Sequence, residues 1–342
     1  MIASRFIQRM IAVAGEETFK TVINRGKTIL ELARKIDEAQ LSKAEMRPGP
    51  IPPQHLLPKK LSVTEIELLR RDPYSIYAKH VLKLDHLEKI GYRFGSSERG
   101  NIYHLILSRF AEEWPVELPD NALDEFLAIS EKVLTSYNHK LLLEPFWSVR
   151  LRETGKWYIQ WEKVRRNTLD SPLAIERRGA LTINLPRGGE FTLSGQVDRI
   201  EFLKNGEFNI IDYKTGRVPS LPQVETGLSP QLTLEAAMLK RKAFTGLLGN
   251  IPRDLIYVKI GSKRGGEEKY VRDFKKFSNC DRLVERHFSE FIRLVDAHWN
   301  GSRPFYSRPH PQFTTDFGRY DHLSRVREWS LITEDMDIGD EE

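Results

Sequence analysis

The chain has 342 residues, 40% hydrophobic and 30% charged, with a formal net charge of +5, enough for one large domain and an appendage. A single cysteine, Cys280, excludes a disulfide framework, and no apolar run reaches the roughly twenty residues that a membrane-spanning helix needs. The mild excess of basic residues permits a polyanionic partner without requiring one.

Residues 1–45 predict helix, with Ile, Leu and Ala recurring at three and four positions around Val22–Ile36. Ala12-Val13-Ala14 superficially matches a signal cleavage site. Arg9 interrupts the apolar run before it, so a helix is the better reading. The proline-dense stretch Met46–Pro58 then loses backbone donors and favours an extended linker, the clearest boundary in the chain. Helices are predicted at 63–82, 99–114, 122–138 and 155–167. Around the last of these, Arg150, Arg152, Lys156, Lys163, Arg165 and Arg166 crowd near Trp157 and Trp161. Basic side chains beside aromatics can grip phosphates and stack bases. Equally, the tryptophans can pack in a core beneath a solvated charged face.

Three strands follow, Glu176–Leu185, Glu190–Phe202 and Glu207–Lys214, separated by Pro186-Arg-Gly-Gly189 and Lys204-Asn-Gly206. A helix at 229–245, a strand at Asp254–Ile260, a basic loop at Gly261–Gly266 and a helix at 277–299 complete the pattern. No phosphate-binding G-x-x-x-x-G-K-[ST] sequence occurs, so this stretch encodes no P-loop ATPase.

The chemistry-bearing stretch is GQVDRIEFLKNGEFNIIDYKTG, residues 195–216. Residues i and i+2 of a strand share a face, so Asp212 and Lys214 project together. The turn decides where Asp198 goes. A two-residue Asn-Gly turn would set Arg199 opposite Asp212. A three-residue loop with Gly206 in the left-handed conformation sets Asp198 opposite Asp212. That register puts Ile200, Phe202, Phe208 and Ile210 on the acids' face. Arg199, Glu201, Asn209 and Tyr213 take the other, with Val197, Leu203 and Ile211 among them, and a one-residue slip would exchange the faces. Two acids and a lysine on one sheet face can hold a divalent metal and position a water. Taken alone, D-x-K is more often a solvated ion pair on a surface strand. Asp198 in an apolar strand strengthens the chemical reading, because an acid among core residues needs a partner or a metal.

This segment resembles the PD-(D/E)XK nuclease core, in the branch that includes the RecB and AddB nuclease domains. Arg99-Gly-Asn-Ile-Tyr-His104 resembles that family's upstream R-G-x-x-x-H helix, and Ser229-Pro-Gln-Leu232 its downstream glutamine helix. The family often has tyrosine four residues after the glutamine; here the residue is Glu235. Leu61–Ile66 followed by Arg71-Asp-Pro-Tyr74 resembles the entry to the AddB nuclease domain, and Tyr320–Trp329 resembles the tail of alphaproteobacterial-type AddB proteins. The likeness covers nearly the whole chain.

The resemblance implies an α/β restriction-endonuclease-like core, a mixed sheet flanked by helices. It implies a helical remnant of a helicase-like region plus the linker over 1–60, and the nuclease domain over 61–342. The chain would then be a fragment or a split gene product. The resemblance further implies a metal-dependent deoxyribonuclease of exonuclease type, acting in the cytoplasm in double-strand break repair. DNA would be its substrate and an AddA-type helicase–nuclease its partner. Asp198, Asp212, His104 and the backbone carbonyl of Tyr213 are the implied ligands of Mg²⁺ or Mn²⁺, and Lys214 and Gln231 join the two acids as catalytic residues. Glu176 on the first strand is read as a supporting acid or an ordinary ion pair. Many AddB proteins also carry an iron–sulfur cluster on four cysteines; one cysteine cannot supply four thiolates, so no cluster is expected here. Two further readings stand beside this one. One is a catalytically inactive DNA-binding or scaffolding module of the same complex. The other is a standalone nuclease similar to the RecB-like exonucleases of CRISPR systems.

Overall fold

The computed structural model describes residues 3–38, 46–85, 95–137, 147–262, 265–273, 279–310 and 318–330. The chain divides into two compact units, Met1–Met46 with Glu328–Glu342, and Arg47–Arg327. In the first, α1 (Arg5–Ala14) and α2 (Glu16–Asp37) are separated by Gly15, whose φ of 83° lets the chain turn between them; neither helix has a buried residue. Among the described residues no helix is long and apolar enough to cross a membrane.

The second unit begins with β1 (Lys60–Ser62), α3 (Val63–Arg71) and α4 (Pro73–Ile76), which runs into a π-helical turn at Tyr77–Val81. Next come α5 (Ser96–Glu113), α6 (Ala122–Ser136) and α7 (Trp147–Arg166). The strand block is β2 (Ala174–Asn184), β3 (Glu190–Phe202) and β4 (Glu207–Lys214). It is followed by α8 (Leu221–Glu225), α9 (Gln231–Lys240), β5 (Ile251–Ser262), β6 (Gly265–Tyr270) and α10 (Cys280–Trp299). The six strands form one mixed sheet. β3 pairs antiparallel with β2 along one edge, while its other edge takes β1 in parallel and then β4 antiparallel. β4 pairs β5 in parallel, and β6 closes the far edge antiparallel to β5.

Alternation along the central strands feeds two cores. Leu255 and Tyr257 pack with Ile200, Phe208 and Ile210 against α3, α9 and α10. Ile256, Val258 and Ile260 pack with Ile211 and Tyr213 against α5, α6 and α7. Each large apolar side chain buried in this way contributes about 1.5–3 kcal/mol. Helix α9 is pressed into the sheet so closely that Leu232 through Leu239 are all buried.

Several elements differ from expectation. The helix predicted over 63–82 breaks at Asp72, whose φ of −149° is forced out of the helical region by the following Pro73. The predicted 229–245 helix starts only at Gln231 and stops at Lys240; Lys242 adopts a left-handed φ of 59°. Strand β1 is too short to carry a periodic signal. Strand β6 occupies the end of the predicted basic loop, whose Lys263 and Arg264 lie outside the described residues, as do residues 277 and 278 of the last predicted helix. Val197, expected opposite the acids' face, instead packs in the core that holds Ile200. The β2–β3 ladder skips Glu176 and Asp198 at this point, and Glu176 has a left-handed φ of 49°, so the regular pleat fails locally.

One buried group makes stability depend on pH. His298 is 1% exposed against Phe305, and burial, with the Arg303 charge, pushes its pKa from 6.5 down to about 4. The unfolded chain therefore takes up this proton first. The stability that neutral His298 preserves is complete above about pH 6.5 and is lost as pH falls toward 4, up to about 3 kcal/mol. Urea unfolding at pH 7 and pH 4.5 should show the loss in the wild type and a smaller one in His298→Leu.

Candidate active site

The hairpin between β3 and β4 builds the site. The Leu203 N–H donates to the Glu207 carbonyl and the Gly206 N–H to the Leu203 carbonyl, both at 2.9 Å, closing a three-residue loop in which Gly206 takes a φ of 78°. The register Arg199↔Ile211, Ile200↔Ile210, Glu201↔Asn209, continued by one pair, sets Asp198 across from Asp212. Here the ladder stops and side chains take over: the Tyr213 backbone N–H donates to Asp198 Oδ2 at 2.9 Å.

Asp212 is 2% exposed. Its Oδ1 accepts from Lys214 Nζ at 2.9 Å and from Gln231 Nε2 at 2.6 Å, while Gln231 Oε1 accepts from Lys214 at 3.1 Å. These three side chains form a closed triangle, with Gln231 supplied by the first turn of α9. From α5, His104 Nε2 lies 2.8 Å from the Tyr213 carbonyl oxygen, and its Nδ1 lies 3.4 Å from Asp198 Oδ2. The structure thus brings His104, Asp198, Asp212, Tyr213, Lys214 and Gln231 into one connected cluster.

Two further acids join it. The ligand atoms of Glu176, His104 and Asp198 lie within 4.8 Å of one another, and the Glu176 carboxylate accepts from Gln196. Glu235, one turn beyond Gln231, accepts from Gln231 Nε2 at 3.2 Å and is buried. The sequence marked Glu235 only as a departure from tyrosine. Its spacing of four residues from Gln231 was the available signal, because i and i+4 meet on a helix face.

The electrostatics follow from burial. Asp212 is pushed from 3.8 up to about 6 because its charge is buried and Asp198 lies close, with Lys214 opposing. Burial pushes Glu235 well above the usual carboxylate range, and repulsion from Asp212 and Asp198 adds to it. Burial works to lower both His104 and Lys214, but Asp198 overcomes this for the first and Asp212 for the second, so both shift up. Glu176 is raised by burial and by Asp198, against its bond from Gln196. The donors are carboxylates, an imidazole and a backbone carbonyl, a set that suits a hard or borderline divalent cation.

Behind the site lies a charge network that the sequence did not reveal. Arg199 is wholly buried, paired with Glu162 of α7 and donating through Nε to Glu201 Oε1 at 2.9 Å. Arg166 Nε donates to Glu162 at 2.7 Å, Arg165 pairs with Glu201 and Glu268, and Asn209 donates to Glu201 at 3.0 Å. Arg199 also reaches the Tyr213 hydroxyl at 3.4 Å and lies 4.8 Å from the Trp161 ring centre. Two members of the predicted basic segment, Arg165 and Arg166, are therefore held by buried acids. Trp161 is a core residue, with Trp157 stacked against it. Lys156 pairs with Glu153, while Arg152 and Lys163 are exposed.

Comparison with known proteins gives the chain's relatives. An uncharacterized protein of Rickettsia bellii (strain RML369-C) is 31% identical over 255 residues, 70% of this chain and 29% of that protein. An uncharacterized protein of Rickettsia typhi (strain ATCC VR-144 / Wilmington) is 34% identical over 194 residues, 56% of this chain and 22% of that protein. An ATP-dependent helicase/deoxyribonuclease component from Streptococcus pyogenes serotype M49 (strain NZ131) is 26% identical over 194 residues, 55% of this chain and 17% of that protein. The chain spans less than a third of the length of these relatives. The family model of the PD-(D/E)XK nuclease superfamily matches residues 60–309, which hold the mixed sheet and every residue of the cluster. The chain belongs to the PD-(D/E)XK nuclease superfamily.

Proposed function

We propose that this chain is a metal-dependent deoxyribonuclease of exonuclease type, the nuclease part of an AddAB-type helicase–nuclease that processes double-strand breaks in the cytoplasm. The observation that carries the reading is the convergence of Asp198, Asp212, Lys214 and Gln231, joined by His104 at the Tyr213 carbonyl. Similarity to the streptococcal helicase/deoxyribonuclease component supports the DNA substrate and the helicase partner, and the Tyr320–Trp329 run supports the alphaproteobacterial AddB type.

Asp198, Asp212, His104 and the Tyr213 carbonyl would hold Mg²⁺ or Mn²⁺. Bound there, the ion would acidify a water and neutralise charge growing on the phosphate. Lys214, kept protonated by Asp212, is a hydrogen-bond donor rather than a base. It can orient the attacking water or stabilise the phosphate oxyanion. Gln231 fixes Lys214 by accepting a hydrogen bond from its ammonium group, and Glu235 holds the Gln231 amide from the far side. The Tyr213 N–H keeps Asp198 turned toward His104.

End-labelled single- and double-stranded DNA should be degraded by the purified chain in Mg²⁺ or Mn²⁺ and left intact in EDTA. A folded chain that binds DNA but cuts it in neither metal would leave the inactive-module reading in place. For the partner, the native gene product should co-purify with an ATP-dependent helicase. A native product that degrades duplex ends processively without ATP or any partner would contradict that assignment.

A further inference from the structure

The loop that leaves β4 at Lys214 ends at Gln231, so it joins two residues of the site's central triangle, and α9 begins at Gln231 itself. The first N–H groups of a helix need partners, which a capping side chain commonly supplies. Here the cap position is Pro230, which makes no side-chain cap bond. The start of α9 must therefore be fixed by other elements.

Helix α3 supplies the grip. Its last residue, Arg71, donates through Nε to the Leu228 carbonyl at 3.2 Å and through Nη2 to Ser229 Oγ at 2.6 Å. Nη2 also lies 3.0 Å from Glu67 Oε1, one turn back on α3, and Ser229 Oγ donates to the same carboxylate oxygen at 3.2 Å. Arg71, Ser229 and Glu67 thus close a second triangle, two residues ahead of Gln231. Ser229 is 1% exposed, so water does not compete for its hydroxyl. Earlier in the loop, Arg70 donates to the Thr226 carbonyl at 2.9 Å, and His287 Nε2 lies 3.1 Å from the Glu225 carbonyl oxygen. The charge of Lys214 reaches Glu67, although burial pushes that carboxyl up.

A guanidinium is a planar fork, so holding a carbonyl and a hydroxyl together fixes direction as well as position. Gln231 passes that placement on, because it accepts from Lys214 and donates to Asp212. We propose that Arg71 is a positioning residue for cleavage: it sets the start of α9 and, through Gln231, the aim of the Lys214 ammonium group, without touching the DNA. The assignment rests on the reading of the site as a DNA nuclease and adds a residue of α3 to its machinery.

The test is Arg71→Met, which removes the fork and keeps the stem. In Mg²⁺ it should lower kcat about tenfold, within the range that a small misplacement of a reacting group costs, and leave KM within about twofold. Ser229→Ala removes one hydroxyl and keeps the Leu228 carbonyl available to Arg71; it should lower kcat about threefold, the scale of one hydrogen bond, with KM again unmoved. Glutamine-selective ¹⁵N labelling follows the Gln231 side-chain amide in EDTA, assigned by its loss in Gln231→Ala. Its exchange with water should quicken about fivefold in Arg71→Met. The amide of Gln196, which donates to Glu176 away from this loop, should keep its rate. Unchanged kcat, a loss confined to KM or unaltered Gln231 exchange would overturn the proposal, as would an equal change at Gln196, the sign of general loosening. If the Gln231 amide responds but the wild-type chain cuts DNA in neither metal, the nuclease reading fails while Arg71 still sets Gln231.

Discussion

Asp212→Asn is expected to abolish metal-dependent cleavage and, in EDTA, to raise the melting temperature. The loss of activity follows from removing a proposed metal ligand and the partner that keeps Lys214 protonated; about a thousandfold is expected, the upper end of the scale for losing a group that stabilises transition-state charge. The gain in stability follows from burial. The Asp212 carboxyl titrates at about 6 in the folded chain against 3.8 ordinarily. The folded state therefore binds more protons between those values, and stability falls as pH rises from about 4 to 6. An ionised Asp212 costs the metal-free fold up to about 3 kcal/mol at neutral pH. Asparagine keeps the shape and removes the buried charge. The change in melting temperature should shrink below pH 4, where the wild-type carboxyl is protonated. A variant that still degrades DNA, with contaminating nucleases excluded, would defeat the assignment of Asp212. One that melts well below the wild type at pH 7 would show that its ion pair stabilises the fold.

Arg199→Leu is expected to destabilise the second unit by about 3–5 kcal/mol, the cost of leaving buried acids without their partner. Glu162 and Glu201 are 0% and 1% exposed. Glu201 is held at about 2, against its burial, by Arg199 and Arg165. Its contribution is present above about pH 4.5 and is lost as pH falls toward 2, so the wild type should also weaken in acid. Arg165 and Arg166 remain to pair the two acids in the variant, which keeps the loss from being larger. The double variant Arg199→Leu/Glu162→Leu should recover part of the stability, because it removes a stranded charge together with its partner. Urea denaturation of the three proteins measures this directly. A loss below about 1 kcal/mol in Arg199→Leu would mean that water reaches this network. Because Arg199 and Tyr213 directly follow Asp198 and Asp212 in their strands, the single variant should also slow cleavage.

The β3–β4 hairpin was legible because its register depends on short-range chemistry. Loop length and one glycine at positive φ fix it, and the acids' position follows by counting. His104 and Gln231 were legible only through resemblance, since nothing local says that α5 and α9 converge on one end of the sheet. The Arg199 network was missed for a different reason. Alternation in β3 and β4 placed Arg199, Glu201 and Asn209 on one face, but it does not say what covers that face. The answer is α7, whose Arg165 and Arg166 read from sequence as part of a solvated or DNA-facing segment and whose Glu162 pairs with Arg199. Val197 was misassigned because a strict two-residue period cannot anticipate the break opposite Glu176. Strand β6 was missed because Gly265-Gly-Glu-Glu-Lys269 is polar and glycine-rich; its pairing comes from the long neighbour β5.

Anomalous scattering from crystals soaked in Mn²⁺ would locate the ion at the β3–β4 hairpin. A manganese peak is expected, bonded to the carboxylates of Asp198 and Asp212, with His104 and the Tyr213 carbonyl around it. This peak should be absent in Asp212→Asn crystals soaked in the same way. Manganese bound only elsewhere, or absent from these residues while the same preparation cleaves DNA in Mn²⁺, would contradict the assignment.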